Sequence, residues 1–186
     1  MKPVALALLC LSLTTAPAAA DEITDALDAA RSAYEEGDIQ YAIEELDFAK
    51  QRLAAMKAEV LEKFLPPAPD GWTRTLEPDI GSAMGMMGGG TGAEADYTPE
   101  DGGAGYTITL MADSPMVSAM AAMISNAGLM GAQIERVGRQ KFIVQDGEMT
   151  GLVDNRILIK ANGADVETLL AALEGIDYRA LGRFGQ

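Results

Sequence analysis

The chain has 186 residues, 28 acidic against 14 basic side chains, a formal net charge of −14 and no histidine. That balance argues against nucleic acid and anionic lipid as partners, because both recruit Lys and Arg. With Cys10 as the one cysteine, Ser-His-Asp and Cys-His nucleophiles and the usual zinc sites are excluded too.

The first twenty residues read as a secretory leader. Lys2 is a short basic start, Val4 to Leu13 is an apolar run, and Ala18-Ala19-Ala20 precedes the acidic Asp21-Glu22. Small residues before a polar start are the layout of a cleavage site, here after Ala20. The apolar run is too short for a stable membrane span, and no later stretch is long and apolar enough. Leu9 before Cys10 is too bulky for a lipoprotein site. The expected location is the periplasm or the medium, and a disulfide-free chain there must rely on its core.

From Ile23 to about Leu65 the pattern is helical. Ile23, Ala26, Leu27, Ala30 and Tyr34 recur at three- and four-residue spacing. Gly37 is placed to end this helix and Asp38 to cap the next. The second helix carries Ala42, Ile43, Leu46, Ala49, Leu53, Met56, Val60 and Phe64 along a stripe. Two antiparallel helices over 21–65 are expected.

Tyr34, Gly37-Asp38-Ile39, Ala42-Ile43, Leu46 and Ala49 make residues 23–54 resemble a single tetratricopeptide unit. The resemblance implies small alanines that let two helices approach closely and a glycine that turns the chain. It departs at Ala26, where a tryptophan is common, and at Ala54, where a proline is usual. No second unit follows, and such repeats need neighbours to bury their faces. The hairpin is therefore expected to pack on the next domain or to bind something. A protein partner in the cell envelope is expected, with Tyr34, Tyr41, Glu45 and Phe48 as contact residues.

Pro66 and Pro67 end the helix. Residues 66–92 read as a Pro/Gly/Met-rich linker and domain entry, in which Trp72 anchors the next domain. Within it, "GSAMGMMGGGTG" (81–92) places Met84, Met86 and Met87 on a glycine-rich segment. Thioethers are soft neutral ligands suited to Cu(I) and Ag(I), so the three methionines are a candidate metal site. An exposed apolar patch for a partner and a plain connector are the other readings. The glycine run lacks the Gly-Lys-Ser/Thr ending of a phosphate loop.

Residues 93–186 read as an α+β domain with a mainly antiparallel sheet and two helices on one face. Strands are expected at 93–99 and 104–113, where Tyr106, Ile108 and Leu110 alternate with Thr107, Thr109 and Met111. Ser114-Pro115 starts a helix to about Asn126. Met116, Met120 and Met123 share one face of it, which reads as core packing. Four short strands follow, with turns at Gly138-Arg139, Gly147-Glu148 and Asn155-Arg156. Asp165 caps a helix over 166–176, and "DYRALGRF" gives a last turn. The resulting expectation is a non-catalytic interaction or binding protein without a cofactor. Soft-metal binding through Met84, Met86 and Met87 is the alternative, and a carboxylate-pair hydrolase the remaining enzymatic one.

Overall fold

A computed structural model describes residues 22–78, 80, 81, 84, 89–127 and 131–186. The leader-like residues 1–20 lie outside the described residues. The chain forms two compact units, the first ending at Arg52 and the second running from Leu53 to Gln186. The expected α+β fold is the one that forms.

In the first unit α1 (Glu22–Glu36) turns into α2 (Ile39–Glu62), which continues into the second. Gly37 takes a φ of +84°, the left-handed geometry a glycine adopts without penalty. The Gly37 N–H donates to the Tyr34 carbonyl at 3.2 Å and the Asp38 N–H to the Ala33 carbonyl at 2.9 Å. These are the two bonds of a Schellman stop. Asp38 then caps α2 by accepting from the Tyr41 N–H at 3.1 Å. The seam between the helices is Ile23, Ala26, Ala30 and Ala33 against Ala42 and Ala49, all buried. Arg52 pairs with Glu22 across the hairpin.

The second unit is built on a seven-stranded antiparallel sheet in the order β1-β2-β3-β7-β6-β5-β4. Its strands are β1 (Trp72–Leu76), β2 (Thr91–Pro99), β3 (Tyr106–Ala112), β4 (Gln133–Val137), β5 (Gln140–Gln145), β6 (Glu148–Val153) and β7 (Ile157–Asn162). Two meanders, β1–β3 and β4–β7, are joined along the β3–β7 ladder, where Leu110 faces Ile159 and Met111 faces Leu158. Trp72–Leu76, read from sequence as domain entry, is the edge strand of the first meander.

Strand parity divides the side chains into two layers. Ile108 and Leu110 of β3, Ile157 and Ile159 of β7, and Phe142 of β5 face the main core. Two helices, α4 (Val166–Glu174) and α5 (Tyr178–Leu181), close that side through Leu169, Leu173 and Leu181. As expected, Asp165 caps α4, accepting from the Thr168 N–H at 3.0 Å. A further helix, α3 (Pro115–Ala127), covers the opposite face by packing Val117 with Met111 and Leu158. The sequence reading grouped α3 with α4 on a single face. Parity separates them, because Met111 and Leu158 are out of phase with Leu110 and Ile159.

The last turns of α2 belong to this unit. Leu61 and Leu65 are buried in the main core. Arg74 donates to the Glu62 carbonyl at 3.2 Å, which also accepts from the Leu65 N–H at 3.1 Å, and to the Leu65 carbonyl at 3.4 Å, setting a cation at the end of α2. Tyr97 is buried, stacks on Tyr106 at 4.6 Å and donates its phenol proton to the Pro66 carbonyl at 2.7 Å. Burial holds the Tyr97 phenol well above the ordinary tyrosine range, which keeps it a donor.

Candidate functional site

The hairpin distributes its apolar residues in an unusual way. Its small side chains are buried, whereas Leu27, Tyr34, Ile39, Tyr41, Ile43, Leu46 and Phe48 are exposed. Helical geometry places these residues on two sides. Successive residues rotate by about 100°. In α1, Leu27 and Tyr34 stand roughly 60–80° around from the buried seam. In α2, Ile39, Ile43 and Leu46 stand roughly 50–110° around in the same rotational sense. Two antiparallel helices that share a seam bring flanks of the same sense to one side of the pair. One hairpin face therefore carries Leu27, Tyr34, Ile39, Ile43 and Leu46.

Tyr41, Glu45 and Phe48 lie in the opposite sense and form the other face with Glu22, Asp25 and Glu36 of α1. Of the four expected contact residues, the structure thus groups Tyr41, Glu45 and Phe48 and places Tyr34 on the far side. Tyr41 and Phe48 are exposed and Glu45 is half-buried. A hydrogen bond to Glu45 is the first cause of the raised Tyr41 phenol pKa, with the Glu45 charge second. The Arg52 guanidinium lies 5.5 Å from the centre of the Phe48 ring, within cation–π range, while it pairs with Glu22.

Of the three candidate metal residues, Met84 lies among the described residues. Met84 is fully buried and packs with Met111, Val117 and Leu158, and Met116 and Met120 of α3 pack against this cluster. Met86 and Met87 lie outside the described residues. Met84 fits where two glycines leave room: a Cβ on Gly92 would meet its Cγ at 2.8 Å, and one on Gly90 its Cε at 3.0 Å. Gly90 and Gly92 therefore have a packing role beside Met84, which their spacing alone did not reveal.

Beside α3 the same sheet face opens into a groove of about 1060 Å³, bounded by Met120 and Ile124 and floored by Ile143 and Thr150. Two carboxylates line it, Asp146 and Glu148. Glu148 accepts from Thr150 at 3.0 Å and pairs with Lys160 at 2.9 Å. Farther along, Glu94 accepts from Thr109 and Asp96 from Thr107, each at 2.5 Å. Glu148, Glu94 and Asp96 are thus each engaged by a neighbouring hydroxyl. Among the described residues no group of three or more Asp, Glu, His or Cys could hold a metal ion. None of the described helices is long and apolar enough to cross a membrane.

No family model, curated protein or solved structure matches the chain.

Proposed function

We propose that this is an exported, non-catalytic binding protein of the cell envelope whose helical hairpin is its protein-contact element. One observation carries the reading: apart from Ile23, the hairpin seals only alanines in its seam and leaves Leu27, Ile39, Ile43, Leu46 and its aromatics exposed. Fully burying a large apolar side chain yields about 1.5–3 kcal/mol, and these positions, 42–69% exposed, leave roughly half of that gain for a partner. The alanine seam favours close helix approach, so the pair offers a firm surface for a partner. The Gly37 turn and this seam are also what supports likening residues 23–54 to a tetratricopeptide unit. The export part of the proposal rests on the leader-like layout of residues 1–20.

Capture from an envelope extract tests the contact role. The wild-type protein is expected to retain a partner that the Ile43→Ser/Leu46→Ser variant loses. Retention of every partner by that variant would remove the hairpin role.

A second reading, thioether binding of Cu(I) or Ag(I), is favoured by the presence of Met84, Met111, Met116 and Met120 in one apolar cluster. Titration with Ag(I), followed through methionine methyl resonances, is expected to shift this set together. No shift at stoichiometric Ag(I) would end it.

A further inference from the structure

We propose that the hairpin face carrying Tyr41, Glu45 and Phe48 docks a basic, arginine-bearing segment of a partner protein. The proposal rests on the contact role argued above and names the chemistry of the partner. Three observations support it.

First, the charge is one-sided. Between Glu22 and Arg52 the chain has nine acidic residues against three basic ones. Arg31 already pairs with Asp28 at 3.3 Å, and Arg52 with Glu22. On this face Glu22, Asp25, Glu36 and Glu45 surround two aromatic rings, and Arg52 is the one cation among them by helical position. A second copy of the chain would bring like charge against like charge, which disfavours self-association here.

Second, the rings are accessible. Tyr41 and Phe48 stand two turns apart on the same flank of α2, and both are exposed. Aromatic faces beside carboxylates suit guanidinium groups, which stack on a ring and pair with an acid at once.

Third, the chain's own arginine already does this. Arg52 sits over Phe48 while pairing with Glu22. A partner arginine would repeat that arrangement over Tyr41 beside Glu45 and Glu36, and would compete with Arg52 at Phe48. Arg52 then acts as an internal place-holder. The opposite face carries one ring, Tyr34, among the aliphatic Leu27, Ile39, Ile43 and Leu46.

The test is fluorescence anisotropy of a labelled twelve-residue peptide of alternating Arg and Ser, titrated with the purified protein at near-physiological salt. Circular dichroism checks that each variant folds. The Tyr41→Ser/Phe48→Ser variant is expected to weaken binding at least tenfold, and Glu36→Gln/Glu45→Gln by a similar factor. Arg52→Ala is expected to tighten it severalfold by vacating Phe48 and Glu22. Glu167→Gln/Glu174→Gln, an equal loss of charge on exposed positions of the second unit, is expected to leave binding within twofold.

Wild-type affinity in the Tyr41/Phe48 variant would overturn the proposal. So would equal weakening by the Glu167/Glu174 control, which would mean diffuse charge only, and so would weaker binding by Arg52→Ala. If the peptide does not bind while an envelope partner still depends on Ile43 and Leu46, the partner chemistry falls and the contact role stands.

Discussion

Leu46 and Ala49 lie one turn apart on α2, yet Leu46 is 50% exposed and Ala49 only 2%. The larger apolar side chain faces water and the smaller one is sealed. This inversion is what makes the hairpin a contact surface, and it sets opposite mutational sensitivities at the two positions.

Leu46→Ser is expected to change stability by no more than about 0.5 kcal/mol, as for most surface substitutions. Ala49→Leu forces extra carbons into a close helix seam and is expected to cost about 1–3 kcal/mol. Urea denaturation of the two variants checks the order. A larger loss from Leu46→Ser would mean that Leu46 is covered.

Tyr97→Phe keeps the stack on Tyr106 but removes the hydrogen bond to the Pro66 carbonyl. The expected loss is about 1 kcal/mol, the usual net worth of one such bond plus a partly unsatisfied acceptor. An unchanged denaturation midpoint would show that Pro66 is held by other contacts.

Gly92→Ala brings a Cβ to 2.8 Å from both Met84 and Ile80. A cost of about 1–3 kcal/mol is expected. Met84→Ala combined with Gly92→Ala should lose less than the two single changes summed, because the clash and the removed atoms coincide. A double-mutant cycle measures this coupling, and strict additivity would contradict the packing role of Met84.

Asp113 pairs with Lys57 at 2.7 Å and with Arg156 at 3.1 Å. Burial raises its pKa, but these two cations outweigh it and hold the carboxyl below its ordinary range. A depressed folded pKa gives stability that is present above the unfolded value, about 3.9, and is lost as pH falls through the folded value. Asp113→Asn tests this cleanly, since asparagine tolerates the observed φ of +54°. The variant is expected to be less stable by roughly 0.5–1 kcal/mol at pH 7, as suits a partly exposed cluster. The gap should close below about pH 4 as the wild-type carboxyl protonates. A gap that persists to pH 2 would assign the loss to something other than charge.

Much of the fold was legible. The Gly37-Asp38 stop and cap, the Ser114-Pro115 start, the Asp165 cap and the turns at Gly138-Arg139 and Asn155-Arg156 depend on local chemistry and appear where their residues imply. The β5–β6 turn falls at Asp146-Gly147, one residue before the expected Gly147-Glu148. β1 was not legible, because Trp-Thr-Arg-Thr-Leu becomes a strand through its ladder with β2 rather than through its own pattern. Nor was the side of the sheet that α3 covers, since alternation sorts residues into two sets without saying which helix meets which. On α2, Ala42 and Ile43 are neighbours in one stripe by spacing. Only the position of α1 decides that Ala42 is buried and Ile43 is not. Met84 was ambiguous for a related reason: the room it fills is created by Gly90 and Gly92 after folding.

Hydroxyl-radical footprinting of the purified protein, repeated in envelope extract, tests the contact role most directly. In the purified protein Leu46 and Tyr34 should be labelled strongly while Leu61 and Met84 stay protected, and in extract the labelling of Leu46 and Tyr34 should fall. Labelling of Leu46 and Tyr34 that is equal with and without extract would contradict it.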